Sequence, residues 1–334
     1  MKNKKYEFRL ITDAEFEKWD SLVDASYEGT LFHKSYWLKN VHTHPLIYGY
    51  FKNGILSAGF TGSIIKRKFG YSYFGTPLLT PYSGPVFHAQ SGKKVTHYSN
   101  CKEILEDMII ELKDKHSDIE IKLSPWINDI QPFIWNKFDN KTRFSYVLDI
   151  TDLDKVWNNM DSGSCRNDIN KGIKDGLKVE NFDDFNLLIS LVENTFDRQD
   201  CSMEHFRKLS YKIFEELNKR GQCRIFICRD KDGEPIAGNM IIWDTKRSYY
   251  ILGGYKSEKK HHGGSSMVLW ESIRYSSEKI GLRQFDFEGS MLRHVERFFR
   301  KFGGDLCGYQ TVSIKGYYGI LYDIADKIYY RKFF

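Results

Sequence analysis

Glu288, Asp286 and His294 are the residues whose types and spacing point most directly to chemistry. Phe285-Asp286-Phe287-Glu288 alternates apolar and acidic, which predicts a strand with both carboxylates on one face. Gly289-Ser290 breaks it. Leu292, Val295, Phe298, Phe299 and Phe302 then recur at spacings of three and four, predicting a helix that Gly303-Gly304 ends. The other helix face carries Arg293, His294, Glu296, Arg297, Arg300 and Lys301. A carboxylate at a strand end can serve in proton transfer, and a basic helix beside it can hold an anion. Glu288 is therefore the first candidate base and His294 the second. Tyr249 or Tyr250 offers a hydroxyl to a carbonyl or leaving group. The same pattern also describes an acidic sheet edge beside a solvated helix.

The elements around this stretch form a repeated plan. Tyr6–Ile11 reads as a strand, followed by a helix with Phe16, Trp19 and Val23 on one face. Phe32, His33, Tyr36 and Trp37 mark either a core-packing helix start or an aromatic rim of a site. Strands at Leu46–Phe51, Ile55–Lys66 and Phe69–Tyr73 follow, the first two joined by the hairpin signal Asn53-Gly54. Thr76–Phe87 holds three of the seven prolines and predicts an ordered loop or extended wall. A helix over 99–115 and strands at Ile119–Leu123 and Phe144–Ile150 complete the first half. In the second half, strands at Cys223–Arg229, Pro235–Trp243 and Ser248–Gly253 are joined through Asp232-Gly233 and a turn near Thr245–Arg247, and lead to a helix over 265–279. Asn53-Gly54 precedes Ala58-Gly59, and Asp232-Gly233 precedes Ala237-Gly238, at the same spacing. The repetition predicts a tandem duplication, with domains over 1–150 and 151–334. Between the halves, Ser164–Glu180 reads as a basic helix with Ile169 and Ile173 inward and a stop at Gly176. Helices over 182–197 and 203–219 bridge to the second set of strands, and Gly316–Phe334 predicts an aromatic, basic terminal helix packed on the core or touching a membrane surface.

Composition narrows the class. At 334 residues the chain can bury one large core or two smaller ones. Hydrophobic content of 41% with 28% charge describes a soluble globular protein, and no apolar run reaches membrane-span length. The net charge of +6 permits an anionic substrate but supplies no dense basic stripe for duplex nucleic acid. With no signal-peptide pattern and six scattered cysteines lacking any Cys-x-x-Cys pair, the expectation is a cytoplasmic protein with reduced thiols and no metal site. Cys165 beside Arg166 is the one cysteine in an activating setting, and no Gly-x-Ser-x-Gly elbow occurs. No covalent nucleophile is therefore expected.

Arg166-x-x-Ile169-x-Lys171, Phe285-Asp-Phe-Glu-Gly-Ser290, Arg297-Phe298-x-x-x-Phe302-Gly303-Gly304 and Gly29-Thr30-x-Phe32-x-x-x-Tyr36-Trp37 together resemble the FemAB-like branch of the GNAT acyltransferase superfamily. The resemblance covers nearly the whole chain. It implies an α+β protein of two tandem GNAT-like domains, each a mixed, largely antiparallel sheet flanked by helices, with the donor site in the second. It implies an acyltransferase acting in cell-envelope biogenesis. The expected activity moves an acyl group from acyl-CoA or acyl-carrier protein to an amine of a small molecule, amino sugar or cell-envelope precursor. Alternatives are an aminoacyl-tRNA-dependent transferase acting on a peptidoglycan precursor, against which the lack of sustained heptads counts, and a non-catalytic binding protein. Arg166, Lys171, Trp37, Asp286 and Arg297 are the expected substrate contacts, and Tyr250 is expected to join Glu288 and His294 in catalysis. Lys259-Lys260-His-His-Gly263-Gly264-Ser265 stands where GNAT enzymes bind the coenzyme A pyrophosphate: the glycines admit a phosphate to backbone N–H groups, the lysines add charge, and Ser265 caps the helix. Two departures stand out. Phe299 occupies the place of a lysine usual in the branch, and the pyrophosphate motif is only approximate.

Overall fold

Asn-Gly and Asp-Gly turns between β-branched and aromatic runs produce matching hairpins in the two halves of the chain. The computed structural model describes residues 6–42, 45–88, 93–181, 183–193, 203–256, 261–289 and 291–331. The first hairpin joins β2 (Pro45–Lys52) to β3 (Ile55–Lys66) after β1 (Tyr6–Leu10) and helices α1 (Phe16–Ala25) and α2 (Ser35–Val41). Asn53 and Gly54 both have positive φ, 53° and 77°, the backbone a two-residue turn of this hand requires. β4 (Ser72–Gly75) extends the meander, and β5 (Gly84–Phe87) returns onto β3. Helix α3 (Lys94–Lys115) then crosses over to β6 (Ile119–Lys122), which lies parallel to β4. After α4 (Gln131–Trp135) comes β7 (Asp139–Asp149).

The second half opens with α5 (Leu153–Asn159) and α6 (Asn167–Lys174), followed by β8 (Lys178–Asn181), α7 (Phe185–Glu193) and α8 (Met203–Lys219). β9 (Cys223–Arg229), β10 (Pro235–Trp243) and β11 (Arg247–Tyr255) form the second meander. α9 (His262–Glu278) crosses over to β12 (Gln284–Asp286), which runs parallel to β11 and antiparallel to β7. α10 (Arg293–Arg300), β13 (Asp305–Ile314) and α11 (Tyr317–Arg331) end the chain.

Two compact units result: Met1–Arg143 with Gly308–Phe334, and Phe144–Cys307. The first has the strand order β1-β2-β3-β4-β6-β13 and the second β8-β9-β10-β11-β12-β7. Each is an antiparallel four-strand meander, then one parallel and one antiparallel neighbour. The sequence boundaries of 1–150 and 151–334 miss an exchange of final strands. β13 closes the first unit on β6, while Val147–Asp149 of β7 close the second on β12. α11 also returns to the first unit, where Tyr322 stacks on Tyr71 at 4.4 Å.

Three local expectations change. The strand predicted through Glu288 stops at Asp286. The helix beyond it starts at Arg293, leaving Leu292 exposed. Ile173 is 61% exposed, because α6 packs on α9 through Ile169 and Gly172.

Candidate active site

The second unit's sheet is built to split. β11 and β12 pair only over Arg247–Gln284, Ser248–Phe285 and Tyr249–Asp286. Beyond that point the Phe287 N–H bonds to the Tyr146 carbonyl at 3.0 Å, so the chain after β12 stays with β7. β11 stays with β10, where Met240 pairs with Leu252 but Ile241 pairs with Tyr250, so Ile251 is an extra, bulged residue. The two strands diverge into a cleft of about 660 Å³. Its walls include Tyr250, Gly253 and Asn239 from the meander, Ser265 and Ser266 from α9, Phe206 from α8, and Phe298, Phe299 and Val295 from α10.

Glu288 and His294 both line this cleft. Glu288 sits at a left-handed φ of 58°, and its N–H bonds to Asp286 Oδ1 at 2.8 Å. That turn ends the two-residue alternation, so Asp286 and Glu288 do not share a strand face. Asp286 is fully buried and also accepts from Ser145 Oγ at 2.6 Å. It positions the Glu288 backbone instead of meeting substrate. Gly289, with φ of 69°, follows because any Cβ there would lie 2.0 Å from the Phe144 carbonyl oxygen. His294 is exposed on the first turn of α10. That helix is held by Phe299 against Phe287, with ring centroids 5.1 Å apart, and by Tyr146 Oη donating to Glu296 at 2.8 Å.

Tyr250 faces the cleft with its ring edge-on to Phe299 at 5.4 Å. Burial pushes its phenol pKa up, so the group stays protonated and can donate. Tyr249 points elsewhere: it is fully buried and donates to Asp244 Oδ2 at 2.7 Å. Cys165 is buried with its thiol pushed up to about 12, removing it as a nucleophile. Burial likewise raises the thiols of Cys101, Cys223, Cys228 and Cys307.

α9 presents its first turn to the cleft through His261, Ser265 and Ser266. The cap is His261, not Ser265: its Nδ1 accepts from the Gly263 N–H at 3.0 Å. Nε2 lies 3.0 Å from Asp175 Oδ2, which fixes the ring as the Nε2–H tautomer and holds the Asp175 carboxyl below its ordinary range. The two glycines serve packing. A Cβ on Gly263 would stand 2.4 Å from the Asp168 carbonyl oxygen, and one on Gly264 3.2 Å from Ile236. Lys259 and Lys260 lie outside the described residues.

Other expected contacts fall away from the cleft wall. Trp37 is a core residue of the first unit, its Nε1 donating to Thr80 Oγ1 at 3.1 Å. Arg166 is half-buried in a π-turn before α6, while Lys171 and Arg297 are exposed; none of the three lines the cleft. The cleft does include Asp168, Asn239, His261 and Lys301. Asn239 had a visible signal, a lone polar residue in the apolar strand Ile236–Ile242. Among the described residues no group of three or more His, Cys, Asp or Glu is arranged to hold a metal ion.

Residues 163–300 match the family model described as Acetyltransferase (GNAT) domain. The second unit carries a GNAT acetyltransferase domain. Solved structures similar to this chain extend the likeness over both units. FemX is 12% identical with a TM-score of 0.62, over 91% of this chain and 96% of that one. A conserved protein of unknown function from Bacteroides thetaiotaomicron is 13% identical with a TM-score of 0.61, over 92% and 99%. A tandem GNAT protein from the clavulanic acid biosynthesis pathway is 7% identical with a TM-score of 0.53, over 92% and 97%. At these identities the likeness is one of fold. Among curated proteins, none matches the sequence. The second unit is thus a GNAT-type transferase domain, whose splayed strands β11 and β12 frame its cleft, and the chain as a whole has the tandem fold of the FemX and tandem GNAT structures. Phe299, at the place of the branch's usual lysine, is buried in the aromatic wall, whereas Lys301 reaches the cleft.

Proposed function

We propose that the protein is an N-acyltransferase that takes its acyl group from a thioester donor, acyl-CoA or acyl-carrier protein, and passes it directly to an amine. The acceptor class is a small-molecule amine, an amino sugar or a cell-envelope precursor. The observation that carries this reading is the β11–β12 split, which puts Glu288 and the start of α9 on the walls of one cleft. In this scheme the α9 start, with Ser265, Ser266 and the N–H groups not used by His261, takes the phosphates of the donor arm. Glu288 removes a proton from the acceptor ammonium, and the free amine attacks the thioester carbonyl. The attacking nitrogen of the tetrahedral intermediate gives up a proton as the intermediate collapses to the amide, and the expelled thiolate takes up a proton to leave as the thiol; the Tyr250 hydroxyl is a hydrogen-bond donor suited to either the oxyanion or the leaving sulfur. The high thiol pKa of Cys165 supports attack without an acyl-enzyme.

A donor panel decides the reading. Acyl-CoA species, acyl-carrier protein and aminoacyl-tRNA are each incubated with amine acceptors and the products weighed by mass spectrometry, alongside thermal shift with each donor. Amide formation from a thioester supports it. Transfer from aminoacyl-tRNA alone replaces it with the aminoacyl alternative.

A further inference from the structure

We propose that Asn239 is a specificity-determining residue of the cleft, its buried amide hydrogen-bonding a neutral amide or hydroxyl group of the bound substrate. The inference rests on the acyltransferase reading above. Asn239 interrupts an otherwise apolar β10 and is 2% exposed, yet it lines the cleft. Ser272 Oγ lies 2.9 Å from Asn239 Oδ1 and 2.9 Å from the Val268 carbonyl oxygen. A hydroxyl has one proton to give. With it on Asn239, the amide nitrogen Nδ2 is buried without a protein partner. With it on Val268, the amide turned end for end gives its N–H to Ser272 and leaves its oxygen in that place. In the orientation observed, Ser272 clamps one end of the amide and the other end stands unmatched in a nearly dry wall. An unmatched buried polar group is costly in the free protein and is repaired by a ligand group of the right kind.

The surroundings say what kind. Asn239 pairs across the sheet with Gly253, which brings no side chain of its own to that register. A Cβ on Gly253 would lie 1.6 Å from Tyr250 Oη, which places the phenol over the glycine and makes a second neutral polar group beside the amide. Leu252 and Val268, both nearly fully buried, supply the rest of this part of the wall. The ionisable acidic and basic cleft residues Asp168, His261, Glu288, His294 and Lys301 stand on α6, at the α9 cap, on the turn after β12, or on and beyond α10. A charged ligand group would be desolvated at Asn239 with no charged side chain on β10 to meet it, so a neutral hydrogen-bonding group fits. Such a group is present on the amide-bearing arm of a thioester donor and on many acceptors, and the test separates them.

Asn239→Leu keeps approximate size and removes the polar group. Its melting temperature should equal or exceed wild type, because an unmatched amide is gone. By isothermal titration its affinity for coenzyme A and for pantetheine should fall about tenfold. Affinity for the adenosine bisphosphate portion, which lacks the arm, should not change. Unchanged donor affinities with an acceptor KM raised about tenfold assign the group to the acceptor. If neither moves, or if the variant is markedly less stable with affinities intact, the amide is structural and the inference is overturned. Wild-type protein that binds neither coenzyme A nor pantetheine refutes the thioester reading on its own. The stability comparison then decides Asn239, a lower melting temperature for Asn239→Leu counting against the inference.

Discussion

The two units share one topology, and they differ at the place where the parallel strands should part. In the second unit β11 and β12 separate after three residue pairs and leave a cleft. In the first, β4 and β6 begin the same way at Phe74–Ile119 and Gly75–Glu120, but the chain refuses to part. The Thr76 N–H bonds to the Glu120 carbonyl, the Ser83 N–H bonds to the Lys122 carbonyl at 2.8 Å, and Ser83 bridges Leu123. Tyr82, fully buried against Phe32, Trp126 and Tyr309, fills the wedge. The crossover helices differ in the same sense. α9 starts with a histidine cap and small residues facing a cleft, whereas α3 starts after Lys93 with no side-chain cap and an exposed Val95. One fold thus carries a cleft in one copy and a packed aromatic wedge in the other, and the change is made by loop sequence with the sheet order retained.

The largest effect expected on this contrast comes from Glu288→Gln, which keeps size and hydrogen bonding and removes the base. Turnover should fall by about 10²–10⁴ while donor affinity and the melting temperature hold. Full turnover in that variant shifts the proton acceptor to His294.

Tyr82→Ala empties the first unit's wedge. A loss of about 3–5 kcal/mol in unfolding free energy is expected from denaturant titration, with KM for both substrates unchanged. A gain of a second donor-binding event in titration would instead make the wedge a displaced ligand site and erase the contrast.

Gly263→Ala pushes a methyl group into the Asp168 carbonyl and so separates α9 from α6. Destabilisation of about 1–3 kcal/mol should accompany it. Weakened donor binding at unchanged stability would show that the glycine serves the ligand and not the packing.

The smallest effect concerns pH. The Asp175 carboxyl is depressed in the folded protein, first by its bond to His261. Its contribution to stability is therefore present above the ordinary aspartate pKa and lost as pH falls through the lower folded value. Melting temperatures of wild type and Asp175→Asn should differ at neutral pH and converge below about pH 4. Curves that stay parallel would mean that His261 holds the α9 cap without its carboxylate partner.

Much of this protein is set by local sequence. The hairpin at Asn53-Gly54 follows from residues that tolerate positive φ, and that at Asp232-Gly233 from the positive φ of Gly233. The α10 stripe of Phe298, Phe299 and Phe302 and the stop at Gly303 follow from helical period and a left-handed glycine. Glu288 could be singled out because an acidic residue beside Gly289 at a strand end has few structural uses. The rest depended on partners distant in the chain. The exchange of β7 and β13 joins residues separated by most of the second half, a pairing that no local period encodes. Asp286 looked like a twin of Glu288 until Ser145, far upstream, drew it into the core and turned the backbone between them. Trp37 and Gly263 read as site residues by type, but Thr80 and the α6 backbone claim them for packing. Residue type and spacing fix what a side chain is able to do; which neighbour it meets, and whether water or substrate reaches it, is decided only when the whole sheet is assembled.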